Sequence, residues 1–224
     1  MTTVAVMQPY FIPYAGYFRL FAASDVFVIF DCVQFPRRGW VHRNRLPLAS
    51  GELGWLSLPL AKSSRATLIH DLVFAPDAGK RFEAATRRFP ILQRARENNA
   101  EIFARLVEFG SGTVADYLCE SLRSLAGDLG LSTPMVRSSS LQIPLEVRGQ
   151  DRILAIAERL GAKRYVNTPG GRALYDANVF AARGVDLRFL PPYDVSSASI
   201  LTRLLSEPAP AVADEIRRHT ALLP

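Results

Sequence analysis

Apolar residues fall in short runs near the start of the chain and at helical spacing through its middle. Thr3-Val-Ala-Val-Met-Gln is an apolar run stopped by Pro9, the pattern of a buried strand entering a loop. The segment at 10–14, bracketed by Pro9 and Pro13, cannot be regular helix. From Ala15 onward, Tyr17, Phe18, Leu20, Phe21 and Ala22 share one broad face of a helix that stops before Ser24-Asp25. Residues 26–30 form a second apolar run, rich in β-branched and aromatic side chains. Strand, loop, helix and strand in this order predict a βαβ unit with parallel strands and a right-handed crossover.

Residues 36–54 read as a loop rich in Arg, Pro and Gly, followed by an alternating strand at 55–60 and another strand at 68–74. A helical block occupies about 78–130, broken near Phe89-Pro90, with Val114, Tyr117, Leu118, Leu122 and Leu125 at helical spacing. Residues 134–138 suit a short strand. A helix over 150–160 is stopped by Gly161. A strand at 164–167 enters Thr168-Pro-Gly-Gly, a mainly helical stretch covers 174–183, and a strand follows at 185–190. Helices are expected at 202–205 and about 210–222. The two strand–turn–helix–strand units predict one α/β domain over 1–224, with an open, mostly parallel, Rossmann-like sheet flanked by helices. The helical block at 78–130 is then an insertion within it.

Composition narrows the function classes. Hydrophobic residues make up 49% of the 224, which is globular rather than disordered. No apolar run approaches the roughly 18 residues needed to span a bilayer. The N-terminus carries no basic leader and no small-residue cleavage site, so a cytoplasmic location is expected. The two cysteines, Cys32 and Cys119, have no spacing that suggests a disulfide framework or structural zinc, and no metal site is predicted. The net charge of +6 invites a nucleic-acid reading. Its dispersal without a continuous basic stripe speaks against one.

Two segments carry the candidate chemistry. The first, Gln8-Pro-Tyr-Phe-Ile-Pro-Tyr-Ala-Gly-Tyr, follows the carboxyl end of the first strand, where open α/β sheets bind ligands. Gln8 and Tyr10 are its candidate substrate contacts, and the helix start beyond them is suited to an anion. The second runs from Asp31 to Arg45. Asp31 leaves the second strand at the same edge and is a candidate general base, with His42 as the other acid–base candidate. Arg38, Arg43 and Arg45 belong to the densest positive cluster in the chain and suit phosphate or carboxylate. Gln34, Trp40 and Asn44 complete the expected substrate-binding set there. The alternative for both segments is a packed crossover and a solvated basic loop. Weaker candidates are Ser138-Ser-Ser-Leu and the turn Asn167-Thr-Pro-Gly-Gly, in which Asn167, Gly170 and Gly171 could present polar groups to a phosphate. Walker A, Gly-x-Gly-x-x-Gly, Gly-x-Ser-x-Gly and His-Glu-x-x-His motifs are all absent.

Val6-Met-Gln-Pro-Tyr-Phe-Ile-Pro-Tyr-Ala-Gly-Tyr-Phe, Phe30-Asp-x-Val-Gln-Phe, Gly39-Trp-Val-His-Arg-Asn-Arg and Tyr165-Val-Asn-x-Pro-Gly-Gly together resemble the WbqC-like family. Ser138-Ser-Ser-Leu and Leu160-Gly-Ala extend the likeness, which runs in order from about residue 3 to about 205. The family takes its name from a member in an O-antigen gene cluster. The resemblance implies an enzyme of surface-polysaccharide or related biosynthesis. Two positions depart from the family pattern: Cys32 stands where a second Asp is common, and Thr202 where an Asp is common. A looser likeness to nucleotidyltransferases of the class-I synthetase type fails at their His-x-Gly-His signature, because Tyr14-Ala-Gly-Tyr stands here.

The function expected is transfer of an acyl or aminoacyl group to a phosphorylated or nucleotide-linked sugar or similar building block. In it the arginine cluster grips phosphate, Asp31 or His42 takes the acceptor's proton, and Gln8 and Asn44 orient it. A nucleotide-dependent ligase or nucleotidyltransferase and a non-catalytic subunit of a biosynthetic complex are the alternatives. Cofactor and oligomeric state stay open at this point.

Overall fold

A computed structural model of the protein describes residues 1–110 and 112–224. The strands are β1 (Thr3–Met7), β2 (Val26–Ile29), β3 (Arg43–Pro47), β4 (Leu53–Ser57), β5 (Met135–Arg137), β6 (Arg164–Asn167) and β7 (Asp186–Phe189). The helices are α1 (Ala15–Ala22), α2 (Ala78–Thr86), α3 (Pro90–Glu97), α4 (Glu101–Val107), α5 (Val114–Asp128), α6 (Gly149–Arg159), α7 (Ala177–Ala182), α8 (Leu201–Leu204) and α9 (Ala209–Arg218).

Residues 3–6 of β1 are buried, as a strand covered on both faces must be, and β1 is the central strand. The main sheet runs β5-β2-β1-β6-β7, parallel throughout. Alternation along each strand divides the core in two. Val4, Val6, Val28 and Tyr165 pack with Ile153, Leu154 and Ala157 of α6 and Phe180 of α7. Ala5, Phe27, Ile29 and Val166 face the other way, onto α1, α5 and α9. The sheet is thus flanked by helices on both faces, as the open Rossmann-like reading expects.

The topology fixes where a ligand can approach. The chain moves outward from β1 through β2 to β5, then recrosses to β6 and moves outward again to β7. The reversal between β1 and β6 is a topological switch point, and the crevice beyond the carboxyl ends of the strands opens there. A helix joining two parallel strands runs antiparallel to them. The amino end of α6, which links β5 to β6, therefore stands at this same edge.

Several local expectations change. Residues 36–54 are not all loop: β3 lies within them and pairs antiparallel with β4, Arg45 opposite Trp55, as a separate two-stranded sheet. Arg43-Asn-Arg carries no apolar alternation, because the inward position is filled by the buried amide of Asn44. The turn between these strands places Gly51 at φ +86°, a conformation natural to glycine. Residues 68–74 make only isolated bridges, Gln34 to Leu68 and Leu60 to Phe74, around a 3₁₀ turn at Ile69–Asp71. Ile69 and Leu72 point inward at a spacing of three rather than two. The break expected at Phe89-Pro90 is present, with Pro90 opening α3. A second break follows at Asn99, left-handed at φ 51°, which the helical pattern does not announce.

Helix α1 is apolar almost all round and buried over Ala15–Phe21. Gly16 lies against the ring of Tyr14, where a Cβ would stand 2.3 Å from Cε2, so its small size serves this packing and not a ligand. Arg19 is buried in the same helix, donating from Nε to the His219 carbonyl at 2.6 Å and from Nη2 to that of Pro191 at 3.0 Å. Among the described residues, no helix is long and apolar enough to cross a membrane.

Candidate functional site

Asp31 leaves β2 at the sheet's carboxyl edge, and its side chain is wholly buried. Four donors converge on it: Arg137 Nε at 2.6 Å, Ser138 Oγ at 3.0 Å, Ser139 N at 2.9 Å and Ser139 Oγ at 2.8 Å. The Ser138 hydroxyl also lies 2.9 Å from Cys32 Sγ and accepts from the backbone N–H of Asp31. Strands β2 and β5 are neighbours, so residues more than a hundred positions apart meet at their ends. Asp31, expected as a general base, accepts from four donors and is fully buried in this structure. Its geometry is that of a group that fixes the Ser138–Ser139 turn against β2.

Cys32, next along, lies on the wall of a cavity of about 740 Å³. The loop after β2 supplies Phe30, Cys32, Val33 and Gln34, and the opposite wall is the amino end of α6. Arg65, Arg148 and Arg152 line this cavity, and no Asp or Glu among the described residues does. Arg152 is buried and donates from Nε to Cys32 Sγ at 3.2 Å, and from its other nitrogens to the carbonyls of Ile143, Pro144 and Val147. Arg65 and Arg148 are exposed at the rim. The N-cap of α6 is Arg148, whose side chain cannot accept a bond from the helix, so the first N–H groups lack a side-chain cap. An anion fits that end. The start of α1, expected in this role, is buried instead.

The arginine cluster of 37–45 does not converge on this cavity. With Asn44 and Leu46 turned inward, Arg43 and Arg45 face outward from β3. Arg43 sits 4.3 Å over the Trp55 ring and donates to the Gly39 and Arg38 carbonyls. Arg45 sits 5.4 Å over Trp40 and donates to Ser197 Oγ at 2.7 Å. Asn44 donates to the Phe11 and Ile12 carbonyls at 3.1 and 2.7 Å, so it fastens the loop after β1 rather than orienting a substrate. His42 lines a different hollow, with Arg37, Lys62 and Arg81. Burial, helped by the charge of Arg43, pulls its pKa down to about 4. The imidazole is neutral at pH 7, which removes it as an acid there. Gln8 accepts through its carbonyl from Tyr17 Oη at 2.8 Å, and Tyr10 packs 5.4 Å from the Tyr17 ring.

At the end of β6, Asn167 donates to Tyr165 Oη at 2.9 Å and Tyr175 Oη at 3.2 Å, while its Oδ1 accepts from Thr168 N. Tyr175 reaches the cavity, and its hydroxyl, with a pKa raised mainly by burial, stays protonated at neutral pH. Asn167 thus acts on the cavity through Tyr175. Gly171 has a packing reason: an added Cβ would lie 2.6 Å from Asn167 Nδ2, whereas one at Gly170 would meet nothing within 4 Å. Gly171→Ala should therefore cost about 1–3 kcal/mol by displacing Asn167. Gly170→Ala should be close to neutral. Urea denaturation of the two variants compares them directly.

Among the described residues, no group of three His, Cys, Asp or Glu side chains is placed to hold a metal ion. The profile of the WbqC-like protein family matches residues 8–197, well over half of the chain. The chain belongs to the WbqC-like family. Uncharacterized protein Rv1507c of Mycobacterium tuberculosis is 28% identical over 193 residues, covering 80% of this chain and 78% of that one. No solved structure matches the chain. The whole wall of the cavity falls inside the span that marks the chain as WbqC-like. So do Asp31 and the serines that hold it.

Of the residues expected in the site, Gln34 lines the cavity and donates to the Arg65 carbonyl at 2.6 Å. Arg65, Arg148, Gln150, Arg152 and Tyr175 were not anticipated. A signal for two of them does exist in this WbqC-like sequence: Arg148-Gly-Gln opens a helix with no Ser, Thr, Asp or Asn in the capping position.

Proposed function

We propose that this WbqC-like protein is a transferase whose phosphorylated or nucleotide-linked substrate binds in the cavity between Cys32 and the amino end of α6. One observation carries the reading: three arginines and a helix start without a side-chain cap line the cavity, and among the described residues no carboxylate does. Arg pairs with phosphate through a planar fork, and unpaired helix N–H groups add to the attraction. Arg65 and Arg148 at the rim take the anion, and Gln34, Gln150 and Tyr175 orient what it carries. The likeness to a family named for an O-antigen gene cluster supports group transfer in surface-polysaccharide or related biosynthesis. Catalysis here rests on positioning and on fixed positive charge beside the reacting group. Asp31 serves it as a positioning residue.

Inorganic pyrophosphate is the probe. At a hundredfold excess over its dissociation constant it should stabilise the fold by about 2.7 kcal/mol. The Arg65→Ala, Arg148→Ala double variant should lose that gain and keep nearly the wild-type melting temperature without ligand, both side chains being exposed. A double variant that still gains from pyrophosphate would overturn the assignment of the cavity.

A further inference from the structure

The charge of the cavity accounts for only part of its wall. Its rim bears Arg65 and Arg148, while Phe30, Val33, Leu68 and Ile153 make much of the remainder apolar. Two residues at its mouth add to this. Leu145 is 54% exposed and Leu174 is 67% exposed, and both line the same cavity from different segments, one ahead of α6 and one after β6. Large apolar side chains left in water beside a basic rim are a poor fit to a fully hydroxylated ligand, which would leave them wet or strip its hydroxyls of partners. They fit a ligand that carries its own apolar surface.

We infer that the cavity takes a phosphate ester with an apolar body, the phosphate held at Arg65, Arg148 and the start of α6, and the body packed between Leu145 and Leu174. This rests on the anion reading above and narrows it: a bare sugar phosphate is the wrong shape of chemistry for this wall, and the ligand is amphipathic. Two sources share that chemistry, an alkyl or acyl chain and a nucleobase. Gln150, whose side-chain carbonyl accepts from Asp176 N at 3.0 Å, ties the two sides of the mouth together and keeps the leucines facing one space.

Calorimetric titration of the full chain with inorganic phosphate and with ethyl, butyl and hexyl phosphate tests it. Affinity should rise along the series by up to about fourfold per methylene buried. In the Leu145→Ser, Leu174→Ser double variant that rise should flatten while inorganic phosphate binds as before. Both leucines being exposed, the variant should melt with the wild type, which the same samples report by thermal denaturation. Uridine 5′-monophosphate distinguishes the sources: binding tighter than hexyl phosphate points to a base, and weaker binding to a chain. If inorganic and hexyl phosphate bind equally, the inference is overturned and the anion reading stands. A rise that persists unchanged in the double variant also overturns it. If no phosphate binds, both fail together.

Discussion

Replacing Asp31 with Ala is expected to destabilise the protein by about 2–4 kcal/mol, mainly by leaving the Ser138 and Ser139 donors without their buried acceptor, since Arg137 is partly exposed and keeps Asp116 as a partner. In a chain of this size that lowers the melting temperature by on the order of 10 °C. The side chain is wholly buried and is the common acceptor for Arg137, Ser138 and Ser139. Without it the Ser139 N–H and the Arg137 guanidinium lose a buried partner, and the ends of β2 and β5 lose the group that joins them. Asn at this position keeps the shape but turns an NH₂ toward groups that are themselves donors, so Asp31→Asn should also be costly. Asp25 supplies the control. It is exposed and accepts only from Thr3 N at 2.7 Å, so Asp25→Asn should cost about 1 kcal/mol or less. Thermal denaturation of the three variants settles the matter. An Asp31→Ala protein that melts within a degree or two of wild type would show that this network holds nothing together.

Arg152→Lys should cost about 2–3 kcal/mol, although it keeps the charge. The planar guanidinium reaches three carbonyls and a sulfur at once, from 2.8 to 3.2 Å. An ammonium cannot satisfy that fan of acceptors. The carbonyls belong to Ile143, Pro144 and Val147, in the loop that carries Leu145 and delivers Arg148 to the start of α6. The substitution should therefore loosen one wall of the cavity before it unfolds the protein. Hydrogen exchange should show faster exchange confined to about 143–150, with the amides of β1 and β2 still protected. Unchanged exchange in that loop would mean that its shape does not depend on Arg152.

The parallel sheet was legible because β1 and β2 are continuous apolar runs flanked by turn residues, and the second βαβ unit repeats the pattern from residue 164. The hairpin was not, because Asn44 occupies an inward position that periodicity reserves for apolar residues, and its amide nitrogen donates to carbonyls of the loop after β1. The candidate site divides in the same way. That Asp31 sits at the carboxyl edge follows from the end of a strand. That its partners are Arg137, Ser138 and Ser139 follows from β2 and β5 lying side by side, which no local pattern reports. Arg43 and Arg45 lie away from the cavity for a related reason. Clustered charge in the sequence says nothing about direction, and both guanidinium groups turn to tryptophans on the outer face of the hairpin. The arginines that line the cavity come from two separated places, Arg65 and the amino end of α6, and make no dense cluster in the sequence. Cys32 adds one more point. There Arg152 meets a sulfur, and its other nitrogens take backbone carbonyls.

Of the main-sheet strands, β1 is the first to leave the ribosome, and it ends in the middle of the sheet with β2 on one side and β6 on the other. One edge is covered within thirty residues, but the other stays bare until residue 164 has been made. Arg19 waits longer, because its two carbonyl partners belong to residues 191 and 219. The nascent chain therefore carries a central strand with one bare edge until residue 164 is made, and an Arg19 without its native partners until residues 191 and 219 are made. Closure of the fold is a late, long-range event of the kind that proceeds slowly and exposes the chain to aggregation. Ribosomes stalled before residue 191 should display an N-terminal region that proteases still cut within α1.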